Sequence, residues 1–262
     1  MGVTVAEIKK RLSEADAEEF AVLERALVAD ERKGVRSALS VAKRRLQAEA
    51  DEEARLASMY SFERSLCGEN PHAVVVGLDE VGRGPLAGPL AVGAVVLPAD
   101  VKIAGLNDSK QVKPADRERI AAEVKRVALA WDVHYIEPSY SADHGMKASL
   151  RLAFSSAVKA IEQTGVHPDV ILLDGNPLHL DPREINVVKG DGKCASIAAA
   201  SIVAKVERDA LMCRYAESYP EYHFAENKGY ASQAHPDAIE RVGLCPIHRK
   251  SFCTAFTQQT LF

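Results

Sequence analysis

Hydrophobic positions recur at two different periods along this 262-residue chain. In residues 1–70 they fall three or four apart: Val5, Ile8 and Leu12, then Phe20, Leu23 and Leu27. That spacing predicts amphipathic helices. Thr4 with Glu7, and Asp16 with Glu19, have the spacing of capping boxes. The segment contains no proline, and glycine only at Gly2, Gly34 and Gly68. Two or three helices are therefore expected, with a break at Gly34.

From Ala73 the pattern changes to short apolar runs. Residues 73–79 (AVVVGLD), 90–97, 127–136, 169–174 (DVILLD) and 184–188 (EINVV) read as strands. Residues 114–127, 147–163, 194–215 and 232–242 read as helices. Strands cluster early and then alternate with helices. This predicts a mixed α/β sheet with helices on its faces, carried by residues 71–262 behind a helical segment 1–70.

Apolar residues make up 47% and charged residues 27% of the chain, values of a globular protein rather than a disordered or fibrous one. There are 33 Lys and Arg against 37 Asp and Glu, a net charge of −4. A nucleic-acid partner would need locally placed basic groups. One such cluster is Arg32, Lys33, Arg36, Lys43, Arg44 and Arg45, which reads equally as a duplex-holding surface or a solvated helical face. Five cysteines, an odd number without CxxC spacing, argue against a disulfide framework or a zinc site and for a reducing, cytoplasmic setting. The start lacks an apolar signal core. The longest uncharged stretch, 84–99, is broken by proline and glycine, so no membrane span is expected.

Candidate chemistry sits at strand ends. Asp79 and Glu80 end the first run, and Asp174 ends VILLD. Each acid reads as a cap or turn residue, or as a carboxylate requiring a cation. Asp191 stands between Gly190 and Gly192, just before a predicted helix, with the same two readings. Together the four offer oxygen donors from three segments, a set suited to Mg²⁺ or Mn²⁺ and not to zinc. Paired ions about 3.5–4 Å apart are a common apparatus for phosphodiester hydrolysis. In GRGPLAG the spacing and Pro85 disfavour a dinucleotide turn. Gly82 and Gly84 there permit close backbone approach, with Arg83 free to meet a phosphate. Lys110 reads as a phosphate contact or a solvated loop lysine. Lys189, Lys193, His248, Arg249 and Lys250 are weaker phosphate candidates, and His179 reads as a loop residue. The alanine-rich stretch 198–205 reads as packing.

Taken in order, DEVGRGPLAGP (79–89), NDSK (107–110), LLDGN (172–176), KGD (189–191), SIAAASIVAKVERD (196–209), NKGY (227–230) and IHRKSF (247–252) closely resemble type 2 ribonuclease H, ribonuclease HII. The resemblance covers about residues 73–253. It implies an RNase H-like mixed sheet flanked by helices, with residues 1–70 as an α-helical extension. It implies Asp79, Glu80, Asp174 and Asp191 as metal-binding carboxylates for Mg²⁺ or Mn²⁺. Gly82, Arg83 and Gly84 match the motif that recognises the ribonucleotide 2′-hydroxyl, and Tyr230 matches the tyrosine that stacks at the RNA–DNA junction. The implied activity is cleavage of RNA in RNA–DNA hybrids, and 5′ to a single ribonucleotide in duplex DNA, leaving 3′-hydroxyl and 5′-phosphate ends. The expected state is a monomer. The terminal QQTLF (258–262) reads as a weak sliding-clamp peptide or a frayed tail. The rivals are a metal-dependent nuclease for strands lacking RNA and an idle hybrid-binding protein.

Overall fold

The computed structural model describes residues 3–70 and 72–257. It divides into two units, residues 1–57 and 58–262. In the first, α1 (Val5–Glu14), α2 (Ala17–Ala26) and the start of α3 (Lys33–Ser65) bury Ile8, Leu12, Phe20, Leu23, Val35 and Ala42. The Thr4 hydroxyl accepts from Glu7 N (3.3 Å), and the Glu7 carboxylate accepts from Thr4 N (2.8 Å), a complete capping box. Asp16 caps α2 by accepting from Glu19 N at 2.8 Å. The break expected at Gly34 lies earlier, at residues 27–32, and Gly34 is inside the first turn of α3. A Cβ there would stand 2.8 Å from Val5 Cγ1, so this glycine serves close helix approach and not chain reversal. Within the basic cluster, Arg32 pairs with Asp30, Lys43 with Glu24 and Arg45 with Glu49, which neutralises half of it.

The composition boundary near residue 70 is also displaced. The last turns of α3 belong to the second unit, where the Tyr60 hydroxyl accepts from Ile103 N at 3.3 Å and Arg64 Nη1 donates to Ala73 O at 2.9 Å.

That unit is built on β1 (Val75–Val81), β2 (Leu90–Val96), α4 (Pro114–Val127), β3 (Ala130–Ile136), α5 (Pro138–Gln163), β4 (Val170–Asp174), β5 (Glu184–Val187), α6 (Ala195–Ser218), α7 (Phe224–Asn227), α8 (Ala234–Val242) and α9 (Thr254–Thr257). The five strands lie in the order β3-β2-β1-β4-β5. β1, β2 and β3 pair antiparallel, while β1, β4 and β5 pair parallel. Alternation along the strands divides the core. Val76, Leu78, Ile171 and Leu173 meet α5 residues Ala153, Phe154 and Ile161, whereas Val75 and Leu172 meet Cys194 and Ile197.

α6 runs unusually close to the sheet. A Cβ on Gly77 would collide with the backbone of Ser196, and one on Gly93 with Ala200 O. The alanines of 198–204 are buried, as a packing role requires. α5 starts earlier than its apolar pattern suggests, with Pro138 in its first turn and a non-helical Gly145 (φ 80°) joining two helical stretches. Among the described residues no helix is long and apolar enough to cross a membrane.

Candidate active site

Asp79 and Glu80 lie within β1, not after it. The parallel register pairs Leu78 with Leu173, so one residue further on Asp79 stands beside Asp174. Period-two alternation puts Asp79 in line with Val75 and Gly77, and Asp174 in line with Leu172, all on the α6 face. The third acid arrives from above. Gly190–Gly192 forms a single 3₁₀ turn immediately before α6 and carries Asp191, which is buried. Asp174 ties this turn to the sheet, its Oδ1 accepting from Gly190 N at 2.6 Å. Glu80 alternates to the opposite side, where its carboxylate meets Arg83 at 3.2 Å.

The electrostatics follow from that crowding. Asp79 is only 7% exposed. Burial, with the charges of Glu80, Asp174 and Asp191, pushes its carboxyl up to about 8, against a downward pull from the Ser201 hydroxyl. Burial also raises Glu80 and Asp191. Asp174 adds to both shifts, and Asp108 adds to that of Asp191. Lys110 is the cation these acids attract: its Nζ is 3.8 Å from Asp191 Oδ2 and 4.0 Å from Asp108. Burial disfavours the Lys110 charge, yet Asp108, Asp191, Asp79 and Asp174 together raise its pKa. Asp108 was missed as a member of this cluster. It sits in the NDSK segment, two residues before Lys110.

Among the described residues, no three His, Cys, Asp or Glu side chains stand ready to grip an ion. Asp174 is engaged by Gly190 and Glu80 by Arg83. The donor chemistry nevertheless fits a divalent cation. The donors are hard oxygens, one of them buried beyond its comfort as an anion, with no His or Cys in the set. The fit therefore requires small rotations of Asp174 and Glu80 away from those partners.

Beside the acids, the β1–β2 connection forms a glycine-rich loop. Gly82 (φ 83°) is buried, and a Cβ on it would collide with Arg208 Nε, so packing and backbone conformation both demand glycine. Gly84 is exposed and has nothing within 4 Å of where its Cβ would stand. Arg83 projects outward between them, its side chain 63% exposed. Tyr230 is 42% exposed, with its ring centroid 5.9 Å from Arg208 Cζ. The loop and the tyrosine segment are one structure, because Leu86 N donates to Gly229 O at 2.8 Å.

Two of the weaker phosphate candidates are corrected here. His248 and Arg249 are buried and spent on the protein itself. His248 Nε2 bonds His235 Nε2 at 3.0 Å, and Arg249 donates to the carbonyls of Gly82, Arg83 and Gly88. They stand together in a run of three basic residues, His248 to Lys250, whose local sequence gives no sign of their burial. Lys189, Lys250 and His179 are exposed, and Lys193 Nζ donates to Val188 O at 2.8 Å.

Comparison with known proteins gives a consistent result. A model described as "Ribonuclease HII" matches residues 76–255, and one described as "Ribonuclease HII N-terminal domain" matches residues 4–67. The chain is 40% identical over 252 residues to ribonuclease HII of Listeria monocytogenes serovar 1/2a (strain ATCC BAA-679 / EGD-e), covering 96% of this chain and 95% of that one. The solved ribonuclease H2 of Pyrococcus horikoshii OT3 superimposes with a TM-score of 0.56 at 26% identity, over 71% of this chain and 99% of its own. The structure of the PCNA:RNase HII complex from Archaeoglobus fulgidus contains a chain with a TM-score of 0.58 at 22% identity, over 71% and 98%.

Proposed function

Because this chain belongs to the ribonuclease HII family, nucleases that hydrolyse the RNA of RNA–DNA hybrids, we propose that it also cleaves 5′ to single ribonucleotides in duplex DNA, leaving 3′-hydroxyl and 5′-phosphate ends. Asp79, Glu80, Asp174 and Asp191 would hold two divalent cations, Mg²⁺ or Mn²⁺. When bound, such ions acidify water and neutralise a leaving oxygen. The observation that carries this reading is the placement of Asp79 and Asp174 side by side on the α6 face, with Asp191 raised by burial and by the charges of Asp108 and Asp174.

The protein's own groups supply recognition. Arg83, exposed beside the acids, meets a phosphate of the cleaved strand. The 2′-hydroxyl distinguishes RNA from DNA. Gly84 supports backbone readout of that group, because no neighbour in the free protein requires glycine there. Gly82 keeps the loop in shape from beneath. Tyr230 offers an exposed ring to the sugar at the junction. Lys110 offsets part of the negative charge of the acids, and would be free to meet a substrate phosphate where divalent cations took over that task.

The setting belongs to the same reading. Five free cysteines support a reducing, cytoplasmic location. The expected state is a monomer. A sliding-clamp contact through residues 258–262, which lie outside the described residues, is proposed by analogy with the PCNA-bound relative. The deciding experiment is a product gel of a duplex with one ribonucleotide, with and without Mg²⁺. Metal-dependent cleavage only on the 5′ side of the ribose is expected. Cleavage of an all-DNA duplex at the same rate would overturn the reading.

A further inference from the structure

Two arginines outside the proposed machinery are buried in an unusual way. Arg208 is 0% exposed and Arg249 is 2% exposed, and among the described residues neither makes an ion pair. Asp209, the acid nearest Arg208 in sequence, is taken by Lys205 and Arg117 instead. The hydrogen-bond partners of both guanidiniums are main-chain carbonyls. Arg208 donates through Nε to Pro89 O (3.0 Å), through Nη1 to Lys228 O (3.0 Å) and through Nη2 to Ala87 O (3.2 Å). Arg249 donates through Nε and Nη2 to Gly88 O (3.1 and 2.8 Å), through Nη1 to Arg83 O (3.0 Å) and through Nη2 to Gly82 O (2.6 Å).

Burying two like charges without counter-ions is expensive. Burial lowers both arginines, Arg249 to about 10 with a further push from Arg208. An apolar filler would avoid that expense, but it could not grip carbonyls. The rigid, planar fork of arginine suits several carbonyl partners fixed in space. The carbonyls gripped belong to two segments only, 82–89 and 228. These are the roots of the exposed groups proposed to read the substrate, Arg83 and Gly84 on one side and Tyr230 on the other. Arg208 alone spans both. It also fills the space a side chain at Gly82 would need and lies under the Tyr230 ring.

We propose that Arg208 and Arg249 are positioning residues that set the spacing between the glycine loop and Tyr230, and through it the fit of an RNA–DNA hybrid. This rests on the reading that those two segments touch the substrate. The pair acts from behind. Its side chains do not reach the surface, and its effect is on where Arg83, Gly84 and Tyr230 stand.

The test uses the full chain with Arg208→Lys and Arg249→Lys, which keep the charge and lose the fork. Binding of a uniform RNA–DNA hybrid without divalent cation is compared with KM and kcat in Mg²⁺. Ile161→Val, a core change on α5 behind the opposite sheet face, is the control for lost stability alone. The lysine variants are expected to raise Kd and KM about tenfold, the loss of one or two charge-assisted bonds. Their kcat stays within about threefold of wild type and the control leaves Kd unchanged. If both lysine variants, folded well below their Tm, bind within about twofold of wild type, the pair is only structural and the proposal fails. Should Arg208→Lys not fold, Arg249→Lys carries the same test, because it alone holds Gly82 and Arg83. Arg83→Ala in parallel separates the two failures. If it too leaves Kd unchanged, the substrate-contact reading has failed. If it raises Kd while the lysine variants do not, only the positioning role has failed.

Discussion

In the helical unit, Arg11 faces Glu19, Lys43 faces Glu24 and Arg45 faces Glu49, all at the surface, and the buried side chains described there are apolar. In the sheet-bearing unit, Glu63, Asp79, Asp191, Arg208, His235 and Arg249 are buried. Most charged side chains are placed by solvation, and the first unit obeys that preference. The second departs from it at two adjoining places, the acid cluster at the ends of β1 and β4 and the arginine pair under the glycine loop. The acids repel one another, and in the proposed function their strain is tied to chemistry. The arginines are quieted by carbonyls, so theirs is tied to shape. Burial of charge thus has two distinct purposes within one small region.

The sharpest way to break this contrast is Asp79→Asn. Cleavage is expected to fall by about a thousandfold or more while hybrid binding survives, which a gel and a binding titration check. Stability should move the other way. The folded carboxyl titrates at about 8, far above an unfolded aspartate, so the metal-free fold is most stable below the unfolded pKa and loses stability as pH rises through 8. Asparagine removes that loss. Its Tm advantage over wild type should grow from about pH 5 upward to pH 8 in calorimetry. An advantage that does not change with pH would mean that Asp79 is not strained.

Glu63→Ala asks whether every buried charge here is functional. Glu63 Oε2 accepts from Ser196 N (2.7 Å) and Ser196 Oγ (2.8 Å), taking the place of an N-cap at α6, whose own Cys194 provides none. Removing it leaves two buried donors unmet, and denaturant titration should show about 1–3 kcal/mol lost. Truncation at residue 70 would delete this cap as well, and so cannot isolate the basic cluster of the first unit.

The smallest effect belongs to the helical unit. Thr4→Ala opens the capping box and should cost about 1 kcal/mol, read as faster amide exchange in α1, with cleavage unchanged. A loss of cleavage would show that the two units are less separate in their roles than their chemistry suggests.

The unevenness of what was legible follows the same contrast. Helix faces, Thr4 and Asp16 as caps, all five strands and the strand-end acids rest on local periodicity and on residue types with few alternatives. α4 was read to the residue because Pro114 marks its start. Gly34 and Gly82 share a requirement that no local pattern encodes: a side chain distant in sequence, Val5 or Arg208, occupies the place of the missing Cβ. Asp108 was hidden because its role comes from Asp191, which only folding brings near. Arg249 resembles a surface base because nothing in IHRKSF tells of the three loop carbonyls, those of Gly82, Arg83 and Gly88, that wait 161 to 167 positions upstream.

The sequence distance just noted has a consequence for how the protein is made. Arg249 reaches back 167 positions to Gly82 O. The four acids precede Arg249 in the chain, so during synthesis they emerge before the side chain that grips the glycine loop. The acid cluster can therefore assemble before the glycine loop beside it is locked in place.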